Sequence, residues 1–82
     1  MEVTVFSATS CAVCHAEMKW LDSKNVEYKN IVIDESDENM EEFMSATNGQ
    51  AFGTPVTLIK QGDDTQVFMG FDRAKLQTAL AV

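Results

Sequence analysis

Val3-Thr4-Val5-Phe6-Ser7-Ala8-Thr9-Ser10-Cys11-Ala12-Val13-Cys14 is the stretch on which the reading of this chain turns. A β-branched and aromatic run comes first, then small residues, then two cysteines at C-x-x-C spacing, and after them the apolar pattern becomes helical. The stretch predicts a strand that delivers two thiols to the first turn of a helix. A helix N-terminus carries unsatisfied N–H groups and partial positive charge. A thiolate placed there is stabilised, so its pKa falls and more of it is reactive near neutral pH. Cys11 is placed at that N-terminus, and Cys14 one turn further in, close enough to close a short disulfide with it. Thr9 or Ser10 is expected to cap the helix.

Working outward, Glu2 to Phe6 reads as the first strand, with Val3 and Val5 alternating against Glu2 and Thr4. Ala12 to about Lys24 reads as helix: Cys14, Met18 and Leu21 share a face, Ala16 and Trp20 lie beside it, and Glu17, Lys19 and Asp22 are assigned elsewhere on the wheel. Asn25 is read as its end. Val26 to Ile33 predicts a second, buried strand parallel to the first, because a helix connects them. Ser36 is the expected N-cap of a second helix carrying Met40, Phe43, Met44 and Thr47 at helical spacing, stopped by Asn48-Gly49. Its acidic start, Asp34 to Asn39, reads as a solvated face. Gln50 to Thr54 is a connection. Pro55 precedes a strand at Val56 to Ile59, Gly62-Asp63 signals a hairpin turn, and Thr65 to Met69 returns antiparallel. Gly70-Phe71 breaks that strand, and Asp72 caps a last helix with Leu76, Ala79 and Leu80 turned inward. The order β-α-β-α-β-β-α predicts one α/β domain over residues 1–82, a four-stranded mixed sheet with helices on both faces.

The bulk numbers exclude several function classes. The 82 residues suffice for one small core, and a hydrophobic content of 45% with a single Pro argues for an ordered globule. A formal charge of −7, with no cluster of Lys or Arg, disfavours direct contact with nucleic acid or an anionic membrane. No apolar run is long enough to span a bilayer. The N-terminus has neither a basic n-region nor an apolar h-region, which predicts a cytoplasmic protein. In that compartment two cysteines at C-x-x-C spacing point to redox or metal chemistry and not to a structural staple.

With C-x-x-C after the first strand, Thr54-Pro55 before the third and Gly70-Phe71-Asp72 before the last helix, the whole chain resembles the glutaredoxin branch of the thioredoxin fold. The resemblance implies that Thr54-Pro55 is a cis-proline site beside the disulfide, whose backbone pairs with an extended substrate. It also implies that Gly70, Phe71 and Asp72 border the substrate or glutathione groove. Departures are visible. Common glutaredoxins carry Cys-Pro-Tyr-Cys, whereas Ala12 and Val13 stand between the cysteines here. They often carry a Lys three residues before the first cysteine, where it helps to hold the glycyl carboxylate of glutathione; here that residue is Ala8. Their usual Gly-Gly before the last helix is Gly70-Phe71. The Gly-Phe pair is instead similar to redoxins that are reduced by thioredoxin reductase.

The expected function is thiol–disulfide exchange through Cys11 and Cys14. Cys11 is the nucleophile, and Cys14 resolves the mixed disulfide formed at Cys11. Substrates are protein disulfides or glutathione mixed disulfides, and the electron donor is glutathione or a flavoprotein such as thioredoxin reductase. No bound cofactor or metal is required, and the protein is expected to act as a monomer. Cys14-His15 also completes C-x-x-C-H, the attachment motif of c-type haem, but the strands and the Thr54-Pro55 context fit that poorly. His15 is expected on the outside of the first helical turn. An iron–sulfur cluster shared between subunits, or a protein-binding module on the same fold, is the alternative. Phe68 is expected in the core and Phe71 in the groove, and the five Met residues are expected to fill core gaps.

Overall fold

The computed structural model describes residues 1–50 and 53–82; the connection read from Gln50 to Thr54 therefore lies partly outside the described residues, at Ala51 and Phe52. Seven elements follow one another: β1 (Glu2–Ser7), α1 (Ala12–Ser23), β2 (Lys29–Val32), α2 (Asp37–Thr47), β3 (Val56–Gln61), β4 (Asp64–Met69) and α3 (Arg73–Leu80). The strands form one sheet in the order β2-β1-β3-β4. β1 and β2 run parallel, and β3 is antiparallel to both β1 and β4. The expected four-stranded mixed sheet is thus present among the described residues.

The two sheet faces carry separate apolar clusters. Val3, Val5 and Ile59 face α1 and α3 and meet Leu21, Leu76 and Leu80. Phe6, Ile31, Ile33 and Val56 face α2 and meet Phe43. Phe6 is 1% exposed, and its ring meets that of Phe43 edge-on at 5.4 Å between centroids. Burying such a side chain contributes about 1.5–3 kcal/mol, and an aromatic pair of this geometry about 0.5–1.5 kcal/mol more. The C-terminal end of β1, from which the cysteine loop departs, is therefore anchored in the core.

Local chemistry sets the element ends, and it revises some expectations. Cys11, not Thr9 or Ser10, is the N-cap of α1. The helix ends at Ser23, Asn25 turns left-handed at φ 58°, and the Val26 N–H donates to the Leu21 carbonyl at 3.0 Å. Val26 is thereby drawn into the helix stop, so β2 begins at Lys29 and spans four residues in place of the longer run expected. Ser36 caps α2 through its hydroxyl, which accepts from the Asn39 N–H at 3.1 Å, and Asn48 and Gly49 close it with positive φ. Gln61 pairs with Asp64 across a two-residue turn in which only Gly62 has positive φ, the pattern of a type II′ hairpin.

The methionines depart most from expectation. Met18 packs against the α1–α3 core, but Met1, Met40, Met44 and Met69 are exposed. On α2 the inward stripe is narrow: Phe43 and Thr47 point in, and Met44 lies about 100° round the helix from Phe43.

Candidate functional site

Strand register brings the predicted site residues to one end of the sheet. Phe6 pairs with both Ile31 and Val56, and Val56 pairs with Met69. One residue beyond that row lie Ser7, Pro55 and Gly70. The loop to Cys11 starts here. So does the Thr54–Pro55 bond, which is cis, with Pro55 buried and Thr54 half-buried. The Gly70 N–H donates to the Pro55 carbonyl at 2.9 Å, which ties the start of the last segment to the proline. Gly70 has φ 78°, a conformation that lets the chain leave β4 and turn into α3.

Cys11 and Cys14 form a disulfide, with their Cα atoms 5.2 Å apart. The Sγ of Cys11 accepts a hydrogen bond from the Cys14 backbone N–H at 3.1 Å. It therefore occupies the place of a capping oxygen at the start of α1, where the helix dipole and an N–H both favour negative charge on sulfur. Cys11 is half-buried, whereas Cys14 is 0% exposed. An incoming disulfide meets Cys11 first, and Cys14 is shielded by the helix and the sheet. Val13, between them, is 50% exposed, and His15 is exposed on the outside of the helix as expected.

The loop before the cysteines is held from β2. The Thr9 N–H and the Thr9 hydroxyl both donate to Oδ1 of Asp34 at 3.0 Å, and the Ser7 hydroxyl donates to Oδ1 of Asn30 at 2.6 Å. The Thr9 backbone N–H is the main cause holding the Asp34 carboxyl below its ordinary pKa; slight desolvation opposes this and the Thr9 hydroxyl adds to it. Asp34 is thus a fixed negative charge two residues from Cys11 through the loop. Sequence reasoning placed it in a solvated acidic run; its position directly after β2, parallel to β1, is the signal that puts it level with the loop.

At the third edge, Asp72 is the N-cap of α3 and its Oδ1 accepts from the Lys75 N–H at 3.1 Å. The N-terminus of α3, at the edge of the expected groove, thus holds a carboxylate of its own. The Phe71 ring is half-buried, with its centroid 5.9 Å from that of Trp20. Phe68 is half-buried against the same core and also lines an open cleft of about 640 Å³ between β4 and α3, with Gln66, Ala74, Lys75, Thr78 and Ala79. None of the cysteine-end residues lines that cleft.

Glu17 is the residue that sequence reasoning misplaced. Assigned to the outer side of α1, it is 0% exposed, on the same stripe as Cys14 and Leu21. Its Oε2 accepts from the Thr57 hydroxyl at 2.6 Å, while its Oε1 is buried without a partner. Burial pushes its carboxyl pKa up, and the Thr57 hydrogen bond only partly offsets this.

A dithiol at a strand–helix junction, beside a cis-proline and on a four-stranded sheet covered on both faces, is the constellation of a thiol–disulfide oxidoreductase of the thioredoxin fold. The Glutaredoxin family model matches residues 3–61, and the chain belongs to that family. Solved structures agree on the fold. The thioredoxin-like protein BC3987, in a mutant form, superposes with a TM-score of 0.84 at 21% identity, covering 99% of this chain and 96% of that one. The glutaredoxin from Archaeoglobus fulgidus gives a TM-score of 0.77 at 21% identity, over 99% and 87% of the two chains. The glutaredoxin-like NrdH-redoxin from Escherichia coli gives 0.74 at 20% identity, over 95% and 93%. No curated protein matches the chain significantly.

Proposed function

We propose that the protein is a cytoplasmic, monomeric reductant of protein disulfides that draws its electrons from a flavoprotein of the thioredoxin reductase type in preference to glutathione. The observation that carries this reading is the charge at the cysteine end of the sheet. Glutathione presents two carboxylates, and this end offers carboxylates in return: Asp34 against the loop and Asp72 on the N-terminus of α3. Ala8, in the position where many glutaredoxins carry a Lys, is half-buried against the Phe6 cluster.

Lys24, Lys29 and Lys60 lie at a distance from the cysteine end. Lys24 is the C-cap of α1, 13 residues from Cys11 and so about 20 Å along the helix. Lys60 pairs with Glu2 at the opposite end of the sheet. Lys29 pairs with Thr4, about 10 Å short of the end at which Ser7 lies. Arg73, at the first position of α3 and exposed, is the cation nearest the Gly70 turn in sequence.

The exchange itself follows from the geometry of the two sulfurs. Cys11 thiolate attacks a substrate disulfide, with the chain docked in an extended conformation along the Thr54-Pro55 backbone between Gly70 and the cysteine loop. Cys14 then attacks Cys11, which releases the substrate as a dithiol and restores the disulfide. The NrdH-redoxin structure is described as having a thioredoxin-like activity profile in a glutaredoxin-like protein, a combination that supports the same division here. Turnover of an insulin-type disulfide substrate with NADPH is the test. Thioredoxin reductase should sustain it and glutathione with glutathione reductase should not; efficient turnover with glutathione alone contradicts the proposal.

A further inference from the structure

Glu17 has no part in the exchange between the two sulfurs and the substrate, yet its placement is specific. It follows Cys14 by three residues on α1, so the two Cβ atoms lie about 5–6 Å apart on one face. Helical side chains lean toward the N-terminus, which carries the Glu17 carboxyl back beneath the turn that bears Cys14. Both residues are fully buried. Thr57, the second residue of β3, holds one carboxyl oxygen, and the other is left buried with no donor. A buried carboxylate oxygen without a partner is destabilising, so an apolar residue would serve packing better.

The surrounding charges do not account for it. The ionisable side chains on the elements packed around this site are exposed: Glu2 on β1, Lys60 on β3, Asp64 on β4, His15, Lys19 and Asp22 on α1, and Arg73 and Lys75 on α3. Burial, and then the neighbouring Asp22 carboxylate, raise the pKa of the half-buried Tyr28 phenol. The one buried ionisable side chain within a helical turn is Cys14.

We propose that Glu17 is the proton acceptor for the Cys14 thiol in the step that closes the Cys11–Cys14 disulfide, and the proton donor to Cys14 when that disulfide is reduced. In closure, the Cys14 S–H proton passes to the Glu17 carboxylate. The Cys14 thiolate attacks Sγ of Cys11, the Cys11–Cys14 bond forms, and the bond from Cys11 to the substrate sulfur breaks. The substrate leaves as a thiolate and takes a proton from water. In reduction, a donor thiolate attacks Cys11, the Cys11–Cys14 bond breaks, and the departing Cys14 thiolate takes the proton from the Glu17 carboxyl. The raised pKa of Glu17 brings a carboxyl closer to a thiol in proton affinity, which makes the transfer less uphill than with an exposed glutamate. The Thr57 hydroxyl holds Oε2, which leaves Oε1 as the buried oxygen without a donor.

The inference rests on the dithiol reading, and an aromatic disulfide such as DTNB separates the two. Reduced protein releases one coloured thiolate when Cys11 attacks and a second when Cys14 closes the ring. For Glu17→Gln the first release, which needs only Cys11, serves as the internal reference. The second should slow at least tenfold at pH 7 and recover toward the wild-type rate near pH 9, where the thiol ionises unaided. A second release equal to wild type from pH 5 to 9 overturns the proposal and leaves Glu17 a structural tie to β3. Should the variant fold poorly, carbon-13 titration of the Glu17 carboxyl in wild type decides: its midpoint should differ between the disulfide and dithiol forms, and identical titration in both refutes the coupling. Failure of the dithiol reading would look different: wild type would then give no second release, or Cys11→Ser would give its single release, from Cys14, as fast as the wild-type first release.

Discussion

Placing a cation at Ala8 tests whether the charge at the cysteine end sets the choice of donor. Ala8 is half-buried, and its carbonyl accepts from the Cys11 N–H at 3.2 Å, so the direction of a side chain there is fixed relative to the disulfide. Ala8→Lys loses only a methyl contact with the Phe6 cluster, because the long stem can cover the same surface. A hydrogen bond to a charged group contributes about 1.5–3 kcal/mol when shielded, and an exposed ion pair about 0.2–1 kcal/mol. For a half-buried position about 1–2 kcal/mol is a fair expectation, a gain of roughly 5–30-fold in glutathione affinity. Asp34 stands against that gain, because its carboxylate, 3.0 Å from the Thr9 N–H, competes for the new ammonium. Ala8→Lys combined with Asp34→Asn should therefore gain more than the lysine alone. Long-range repulsion from the charge of −7 matters less at 0.1 M salt, where the screening length is about 10 Å. Chemical-shift titration with glutathione reads the affinities directly. If neither variant binds more tightly than wild type, or if wild type already saturates well below millimolar glutathione, the missing cation is not what sets the donor.

Three further outcomes follow from local structure. Asp34 has a folded pKa lowered by the Thr9 N–H, so its hold on the loop is full above the ordinary aspartate pKa and is lost as pH falls through the folded value; the protection factor of the Thr9 amide should drop across that acid window while those in α2 stay unchanged. Glu17 has a raised folded pKa, so stability is highest in acid and declines as pH rises from the ordinary glutamate value to the folded one; urea midpoints of wild type and Glu17→Gln should diverge in favour of the variant over that window. Gly70→Ala meets no atom within 4 Å but must hold φ 78°, so about 1–2 kcal/mol of stability should be lost to backbone strain with no repacking, a cost readable as a lower thermal midpoint.

The fold was legible because local signals agreed with one another. The valines of β1, the Ser36 and Asp72 caps, the Asn48-Gly49 stop and the Gly62-Asp63 turn each specify one conformation, and all are observed. The cysteine pair and the cis-proline were legible through the family resemblance. Glu17 was not, although its position is: it falls three residues after Cys14 and four before Leu21, squarely on the inward stripe. Charge type outweighed periodicity, because a buried, incompletely paired carboxylate is rare unless a site uses it. The contacts of Phe71 and Asp34 were not legible for another reason. Where Phe71 packs depends on Trp20, and what Asp34 holds depends on the β1–β2 register; neither contact is local in the sequence.

The central claim is that Cys11 is the nucleophile and Cys14 the resolving thiol. Its most direct test is mass spectrometry of the single-cysteine variants mixed with an oxidised protein substrate. Cys14→Ser, which keeps the half-buried sulfur at the start of α1, should accumulate a mixed disulfide on Cys11 within the first turnover. Cys11→Ser, left with a sulfur that is 0% exposed, should form none on that timescale. Equal trapping on Cys14 in the Cys11→Ser variant would contradict the account.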